Sequence, residues 1–418
     1  MNRKIPRKPT QQQFVLPLLD CMENHGGKAT PQDVYDGVAT KLGVADEHRH
    51  EQILIAGKAV NTFERSCRWS MQKAKAMGLI APVGRHAWEL TGKGKDALHR
   101  ATPGIVITVF TTADGIALFG RAEDAVAHID DGSISLVFGS PPYPLLREKQ
   151  YGNLAANQYI DWLLRIADTW PRKMTSNGSV VLNLGDAYNR GEPSLSLYQE
   201  RLLIRLEDEL GWKLCQRFAW HNPSKMPTPA EWVTVRRVRL KSSLEQIYWL
   251  APKEMPYADN RAVQVPYSEA MKARIAAGGE ARRNRPSGHK LAAGAFATDN
   301  GGAIANNLLI AANTSSNDSY QRLCRERGLP PHPARFPAEL PEFFLKLCTR
   351  PGETTFDPFS GSFQTGAVAE RLGRKWIGTE IHLEYILGGA TRFPNAAFQQ
   401  AHLLERFEQS RGMTHAPL

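Results

Sequence analysis

Apolar positions recur at helical spacing three times in the first hundred residues, near 11–24, 31–42 and 59–77. Gly26–Gly27 ends the first stretch, Thr30 and Pro31 supply a cap and first position for the second, and Gly78 stops the third. A turn at Pro82–Gly84 then leads into HAWELTGKG, whose alternation predicts a short strand. Helix, helix, basic helix and hairpin is the order of a winged helix. Its third helix carries Arg65, Arg68, Lys73 and Lys75, as expected of a helix that enters a major groove. A small helical dimerisation unit with a solvated basic face fits the same periodicity.

From about residue 105 short apolar runs alternate with amphipathic stretches, the pattern of an α/β sheet. Strands are predicted at 116–119, 134–139, 179–184, 245–250, 354–357 and 376–380, and helices near 156–170, 195–210, 337–349 and 365–373. Between 251 and 330 the periodicity fades into Gly, Ala, Asn, Arg and Ser, which predicts a functional loop region or a linker.

The chain has 418 residues, 42% of them hydrophobic and 22% charged, which suits two or three folded domains and argues against wholesale disorder. No apolar run approaches the ~18 residues of a membrane span, and the basic N-terminus has no apolar stretch behind it, so neither a membrane partner nor a signal peptide is expected. The five cysteines are scattered and never spaced C-x-x-C, which argues against a metal or disulfide framework and fits a reducing cytoplasm. Charge is unevenly placed. Residues 1–100 hold 16 basic against 10 acidic side chains and residues 211–340 hold 19 against 10, while the remainder is mildly acidic. Two basic blocks attract a polyanion, and nucleic acid is the usual one.

Two motifs carry chemistry. Ser140-Pro141-Pro142-Tyr143 directly follows the apolar run ISLVFG. Two prolines end a strand and stiffen the turn beyond it, at the carboxyl edge where α/β sheets bind ligands. A hydroxyl, backbone carbonyls and an aromatic face there suit a planar heterocycle with an exocyclic amine. By itself such a motif is more often a plain strand-ending turn. The second motif runs from Phe356-Asp357-Pro358-Phe359-Ser360-Gly361-Ser362 through Thr365 to Glu380, a strand, a glycine turn, a helix and a strand ending in an acid. Glu380 lies 19 residues after Gly361, where nucleotide-binding sheets place a carboxylate for ribose hydroxyls.

Taken together, D-P-F-x-G-S with L-G-R-x-W-I-G-x-E, downstream of S-P-P-Y, resembles the β class of S-adenosylmethionine-dependent DNA amino-methyltransferases. L-N-L-G-D at 182–186, W-x-N-P at 220–223, R-P-S-G-H at 285–289, N-T-S-S-N-D-S-Y at 313–320 and H-P-A-R-F-P at 332–337 are similar to that family as well. The run R-W-S-M-Q-K-A-K-A-M-G-L-I with W-E-L-T-G-K-G resembles the N-terminal winged helix of Mrr-type restriction endonucleases. The resemblance implies a circularly permuted Rossmann-like sheet with helices on both faces, preceded by the winged helix. It divides the chain into a flexible basic arm (1–10), a DNA-binding domain (11–100), a catalytic half (101–250), a loop-rich target-recognition region (251–330) and a cofactor-binding half (331–418).

The implied reaction is methyl transfer from S-adenosylmethionine, without metal, to the exocyclic amine of a base flipped out of double-stranded DNA. Ser140 and the Pro141 carbonyl accept the amine hydrogens, Pro142 stiffens the turn and Tyr143 stacks on the base. Asp357, Pro358, Phe359, Gly361, Ser362, Thr365, Glu380 and Phe336 hold the cofactor. Arg65, Arg68, Lys73, Arg236, Arg237, Arg239, Arg283 and Arg285 contact DNA, phosphates more than bases. Serine at the head of the first motif implies cytosine N4, with adenine N6 as the alternative. A DNA-binding regulator built on a disabled methyltransferase fold and an RNA methyltransferase also remain open, as do a cognate restriction endonuclease and a monomeric or homodimeric state. Three positions depart from the family pattern: Phe363 and Gln364 inside the cofactor turn, and Arg121, where an acid is common and Glu123 or Asp124 is the nearest substitute.

Overall fold

Thr30 starts a helix as its chemistry suggests. Its side chain accepts from the Asp33 backbone N–H, the Asp33 carboxylate accepts from the Thr30 N–H at 2.8 Å, and Pro31 opens the helix Pro31–Leu42. In the computed structural model, which describes residues 11–144, 156–253, 255–280, 283–284, 290–313 and 318–409, this helix packs with Val15–Asn24 and Thr62–Ala76. The basic arm 1–10, Arg285 with the rest of the 285–289 run, and residues 314–317 lie outside the described residues, as does the side chain of Arg283.

Strand β1 (Lys28–Ala29) is followed by a hairpin of β2 (Gln52–Ile55) and β3 (Lys58–Asn61), and then by β4 (Ile80–Val83) and β5 (Ala87–Leu90). β1, β5 and β4 form a three-stranded antiparallel wing. The β2–β3 hairpin occupies part of the stretch expected to open the third helix, so that helix begins at Thr62, where the Asn61 side chain accepts from the Glu64 N–H at 2.9 Å. Its turn needs positive φ at Ala56 and Gly57 (49° and 77°).

Ten strands make the large sheet. In chain order the first seven are β6 (Ile107–Thr111), β7 (Gly115–Phe119), β8 (Ile134–Gly139), β9 (Met174–Leu184), β10 (Lys213–His221), β11 (Leu244–Ala251) and, after the short pair β12 (Arg283–Asn284) and β13 (Lys290–Leu291), β14 (Leu308–Ile310). β15 (Thr354–Asp357), β16 (Lys375–Glu380) and β17 (Ala397–Phe398) complete it. The spatial order is β14-β10-β11-β9-β8-β15-β16-β7-β6-β17, with the central run β9-β8-β15-β16-β7 parallel. From β8 the chain crosses through the helix Ala156–Ala167 to β9 on one side. From β15 it crosses through Gln364–Arg371 to β16 on the other.

The neighbours β8 and β15 thus lead in opposite directions, and a crevice opens between their carboxyl ends. All six residues of β8 are buried, as its uninterrupted apolar run requires of a parallel strand covered on both faces. The 251–330 region is not structureless: besides β12–β14 it holds the helices Glu269–Ala276 and Ser319–Glu326. β14 extends the sheet edge parallel to β10.

The N-terminal unit shares one apolar core with the sheet, from Leu16 and Leu19 through Leu98 and Ile105 to Phe110 and Phe363. The link is tight at the end of β16, where the Ala101 N–H donates to the Ile381 carbonyl at 2.7 Å and the Leu383 N–H to the His99 carbonyl at 3.0 Å.

Trp376 of β16 anchors the core beneath the crevice. Its indole is 1% exposed and donates to the Glu370 carboxylate at 2.8 Å. Two glycines make room for it: a Cβ on Gly115 would lie 1.9 Å from Trp376 Cε2, and one on Gly366 2.9 Å from Cδ2. Gly115→Ala is expected to destabilise the fold by about 1–3 kcal/mol through overpacking, read as a lowered midpoint in chemical denaturation. An unchanged midpoint would remove this role from Gly115.

Candidate active site

The crevice is a cleft of about 830 Å³ bordered by the carboxyl ends of the parallel strands. One wall is the turn after β8. Pro141 is buried, Ser140, Pro142 and Tyr143 are half-buried, and all four line the cleft. The Tyr143 ring lies against the backbone of Gly185, where a Cβ would come within 2.4 Å of it. Its hydroxyl is 2.9 Å from Ser140 Oγ and donates to Glu245 Oε2 at 3.3 Å. Burial and the neighbouring Glu245 carboxylate push the Tyr143 phenol well above its ordinary range, so it serves as a protonated donor.

Asn183, at the end of β9, reaches Ser140 Oγ at 3.4 Å and both Tyr143 OH and Glu245 Oε2 at 3.3 Å. Lys225 pairs with the other oxygen of Glu245 at 2.9 Å. Asn183, Lys225 and Glu245 all border the cleft. Sequence reasoning noticed the run containing Asn183 without giving it a role and missed the other two. The signal for Glu245, an acid near the start of an apolar strand, is shared by many strands that bind nothing.

The opposite wall is the turn after β15, where Pro358, Phe359, Gly361 and Ser362 meet Phe336 and Glu380. Glu380 is 8% exposed and closes the turn on itself: one oxygen accepts from the Gly361 N–H at 3.0 Å, the other from the Ile381 and His382 N–H groups at 2.9 Å each. Burial pushes its carboxyl up to about 7, against the opposing pull of those backbone donors. Gly361 has φ +49°, and a Cβ there would sit 2.9 Å from the His332 ring.

Asp357 and Thr365, expected at the cofactor, are not among the cleft-lining residues. Thr365 Oγ1 donates to one Asp357 oxygen at 2.6 Å and the Phe359 N–H to the other at 3.0 Å, so the pair shapes the turn from below.

The departures at 363 and 364 part company. Phe363 adopts a left-handed conformation (φ 56°, ψ 30°) that turns its fully buried ring away from the cleft, onto Gly389 and towards Phe110 and Trp376. Gln364 lines the cleft. Arg392 Nε donates to the Ser362 carbonyl at 2.8 Å and secures the strained segment. Arg121 also lines the cleft, paired with Glu123 at 2.6 Å. Glu123 accepts from Trp162 Nε1 at 2.9 Å as well, and it is the acid that faces the cleft, whereas Asp124 accepts from the Gly104 N–H.

Among the residues expected on DNA, Arg236 and Arg237 are exposed on the segment between β10 and β11. Arg236 pairs with Glu231 and lies over the Trp232 ring, and the half-buried Arg239 lies over Tyr188. Exposed Val235, Val238 and Leu240 alternate with these arginines. Arg68 is exposed beside Glu64, with Arg65 and Lys73 half-buried on the same helix. Among the described residues no group of three or more His, Cys, Asp or Glu side chains is placed to hold a metal, and no helix is long and apolar enough to cross a membrane.

The DNA methylase family profile matches residues 134–390, and the Mrr N-terminal domain profile matches residues 12–100. The Type II methyltransferase M.PvuII of Proteus hauseri is 43% identical over 286 residues, spanning 68% of this chain and 85% of that protein. The Type II methyltransferase M.Cfr9I of Citrobacter freundii is 26% identical over 324 residues, spanning 70% of this chain and 89% of that protein. Among solved structures, the cytosine-N4-specific PvuII DNA methyltransferase superposes with a TM-score of 0.56 at 36% identity, covering 72% of this chain and 94% of the other. The chain therefore belongs to the DNA methylase family, and it carries an Mrr-like domain at its N-terminal end.

Burial raises Asp357 to about 7 despite the Thr365 hydroxyl and Phe359 amide that oppose the shift. A carboxyl raised in the folded state contributes stability that is fully present below its unfolded pKa and lost as pH climbs through about 7. Asp357→Asn keeps the shape and removes the titration. Denaturation from pH 4 to 8 should show the variant gaining on the wild type by on the order of a kcal/mol or more as pH rises. Parallel curves would contradict the raised carboxyl.

Proposed function

We propose that the protein is a site-specific DNA methyltransferase that transfers the methyl group of S-adenosylmethionine to N4 of a cytosine flipped out of double-stranded DNA. The observation that carries this reading is the facing of two turns across one cleft: Ser140–Tyr143 after β8 and Pro358–Ser362 after β15, at the point where the sheet's connections diverge. Family membership and the printed specificity of the PvuII enzyme support it.

The second turn fits an adenosyl group. The Gly361 backbone admits close approach, Phe336, Phe359 and Trp162 offer apolar walls, and the buried Glu380 carboxylate can accept ribose hydroxyls. When bound, S-adenosylmethionine supplies a methyl group activated by a sulfonium. Ser140 Oγ and the Pro141 carbonyl accept the two hydrogens of the base amine, which localises a lone pair otherwise spread into the ring. Catalysis is then mainly positioning and electrostatics. Tyr143 presents a ring face to the extruded base while Gly185 backs it. A DNA substrate fits an enzyme of the cytoplasm, associated with the nucleoid in a bacterial cell. The exposed arginines of the β10–β11 segment and the Thr62–Ala76 helix would grip phosphates.

Single-molecule sequencing of DNA from cells expressing the protein tests the reading. N4-methylcytosine in one sequence context is expected. N6-methyladenine would reassign the base, and unmodified DNA would overturn the proposal. Ser140→Ala should lower turnover about 100-fold or more while S-adenosylmethionine affinity by calorimetry stays within about twofold. Loss of cofactor binding in that variant would place Ser140 on the wrong side of the cleft.

Replacing Arg65, Arg68 and Lys73 together by alanine should weaken DNA binding and lower the salt slope by up to about 3, with the methylated sequence unchanged. A changed methylation context would instead make that helix part of the sequence-reading surface.

A further inference from the structure

Methyl transfer to an amine leaves a surplus proton on the nitrogen, and neither hydroxyl beside the base can store it. Tyr143 is held protonated by burial and by Glu245, and a serine hydroxyl that takes a proton must surrender its own. The contacts run onward in one direction. Tyr143 donates to Glu245 Oε2 at 3.3 Å, which leaves Ser140 as the donor in its 2.9 Å contact with Tyr143. Glu245 is the carboxylate at the end of that chain. Its side chain is 16% exposed and its second oxygen is occupied by Lys225 at 2.9 Å.

We propose that Glu245 is the terminal acceptor of the proton released from the methylated amine, delivered through Ser140 and Tyr143. The proposal rests on the methyltransferase reading above. As the nitrogen lone pair forms the N–C bond, the S–C bond breaks with its electron pair left on sulfur. The nitrogen's proton passes to Ser140 Oγ, the serine proton to the Tyr143 oxygen, and the tyrosine proton to Glu245 Oε2. Both hydroxyls end neutral, Glu245 ends as the acid, and water takes the proton when the product leaves.

Asn183 braces the relay. Its amide nitrogen reaches all three members, and its amide oxygen, buried, has no partner among the described residues. The charged and polar groups facing Glu245 are Tyr143 from the turn after β8, Asn183 and Asp186 from the end of β9, and Lys225 from the segment between β10 and β11, where Arg239 and Ser242 act on Asp186. Burial raises Asp186, whose carboxylate accepts from Ser242 Oγ at 3.5 Å and has no hydrogen bond to Ser140 among the described residues.

Single-turnover transfer of tritiated methyl from S-adenosylmethionine to amplified, unmodified genomic DNA, measured near neutral pH, tests the assignment. Calorimetry for S-adenosylmethionine and filter binding for DNA run alongside. Glu245→Gln should slow transfer about 100-fold or more, the scale of general acid–base catalysis. It should also leave both affinities within about threefold. Glu245→Asp should recover at least about tenfold. Rates within threefold of wild type in Glu245→Gln would overturn the proposal. So would a loss shared equally by binding and rate, or an equal loss of rate in Asp186→Asn. Wild-type protein that binds S-adenosylmethionine yet labels no DNA would remove the underlying reading, a result distinct from all of these.

Discussion

The cleft depends on one buried carboxylate. Glu380 ends β16 and spends its two oxygens on three backbone amides, of Gly361 from the neighbouring turn and of Ile381 and His382 from its own. Those bonds tie the loop after β15 to the end of β16 and fix the backbone that a ligand would approach. They also partly offset the cost of burying a charge, which nonetheless leaves the group titrating near neutrality, at about 7. A buried acid that still borders a cleft keeps acceptor capacity, which donors brought by a ligand would complete.

The strained backbone nearby follows from the same constraint. Gly361 must let the chain pass His332, and the left-handed Phe363 turns its ring into the aromatic cluster with Phe110 and Trp376. Gly378 and Gly389 lack the side chains that would collide with that ring. A large residue in a ligand turn is thereby compatible with an open cleft, because its bulk is spent on the core. The N-terminal unit joins the same region through the Ala101–Ile381 and Leu383–His99 bonds. The Mrr-like domain is thus seated directly on the strand end that carries Glu380.

Much of this was legible in the sequence where a local rule decides the outcome. β8 and β15 fall on the residues expected of them, because an apolar run halted by proline and one halted by Asp-Pro can end in few other ways. Thr30-Pro31 opens its helix for equally local reasons. What could not be read depends on partners distant in sequence. β10 shows five consecutive exposed positions at its start and becomes a strand by pairing with β11. Asp357 and Glu380 look alike as acids at strand ends. Only the Thr365 hydroxyl, which claims Asp357 from below, separates the turn-shaping acid from the one that faces the cleft. Glu245 joins the Ser140 turn across 102 residues, and no motif announces it.

The central claim is that Glu380 is the carboxylate which receives the cofactor. A group poised near 7 must lose its proton when ribose hydroxyls donate to it and a sulfonium settles nearby. Calorimetric titration of S-adenosylmethionine at pH 6.5, in two buffers of different ionisation enthalpy, reads that proton directly. The account predicts net proton release in the wild type and its loss, with weakened binding, in Glu380→Gln. Equal apparent enthalpies in both buffers for the wild type, or proton release unchanged in Glu380→Gln, would contradict it.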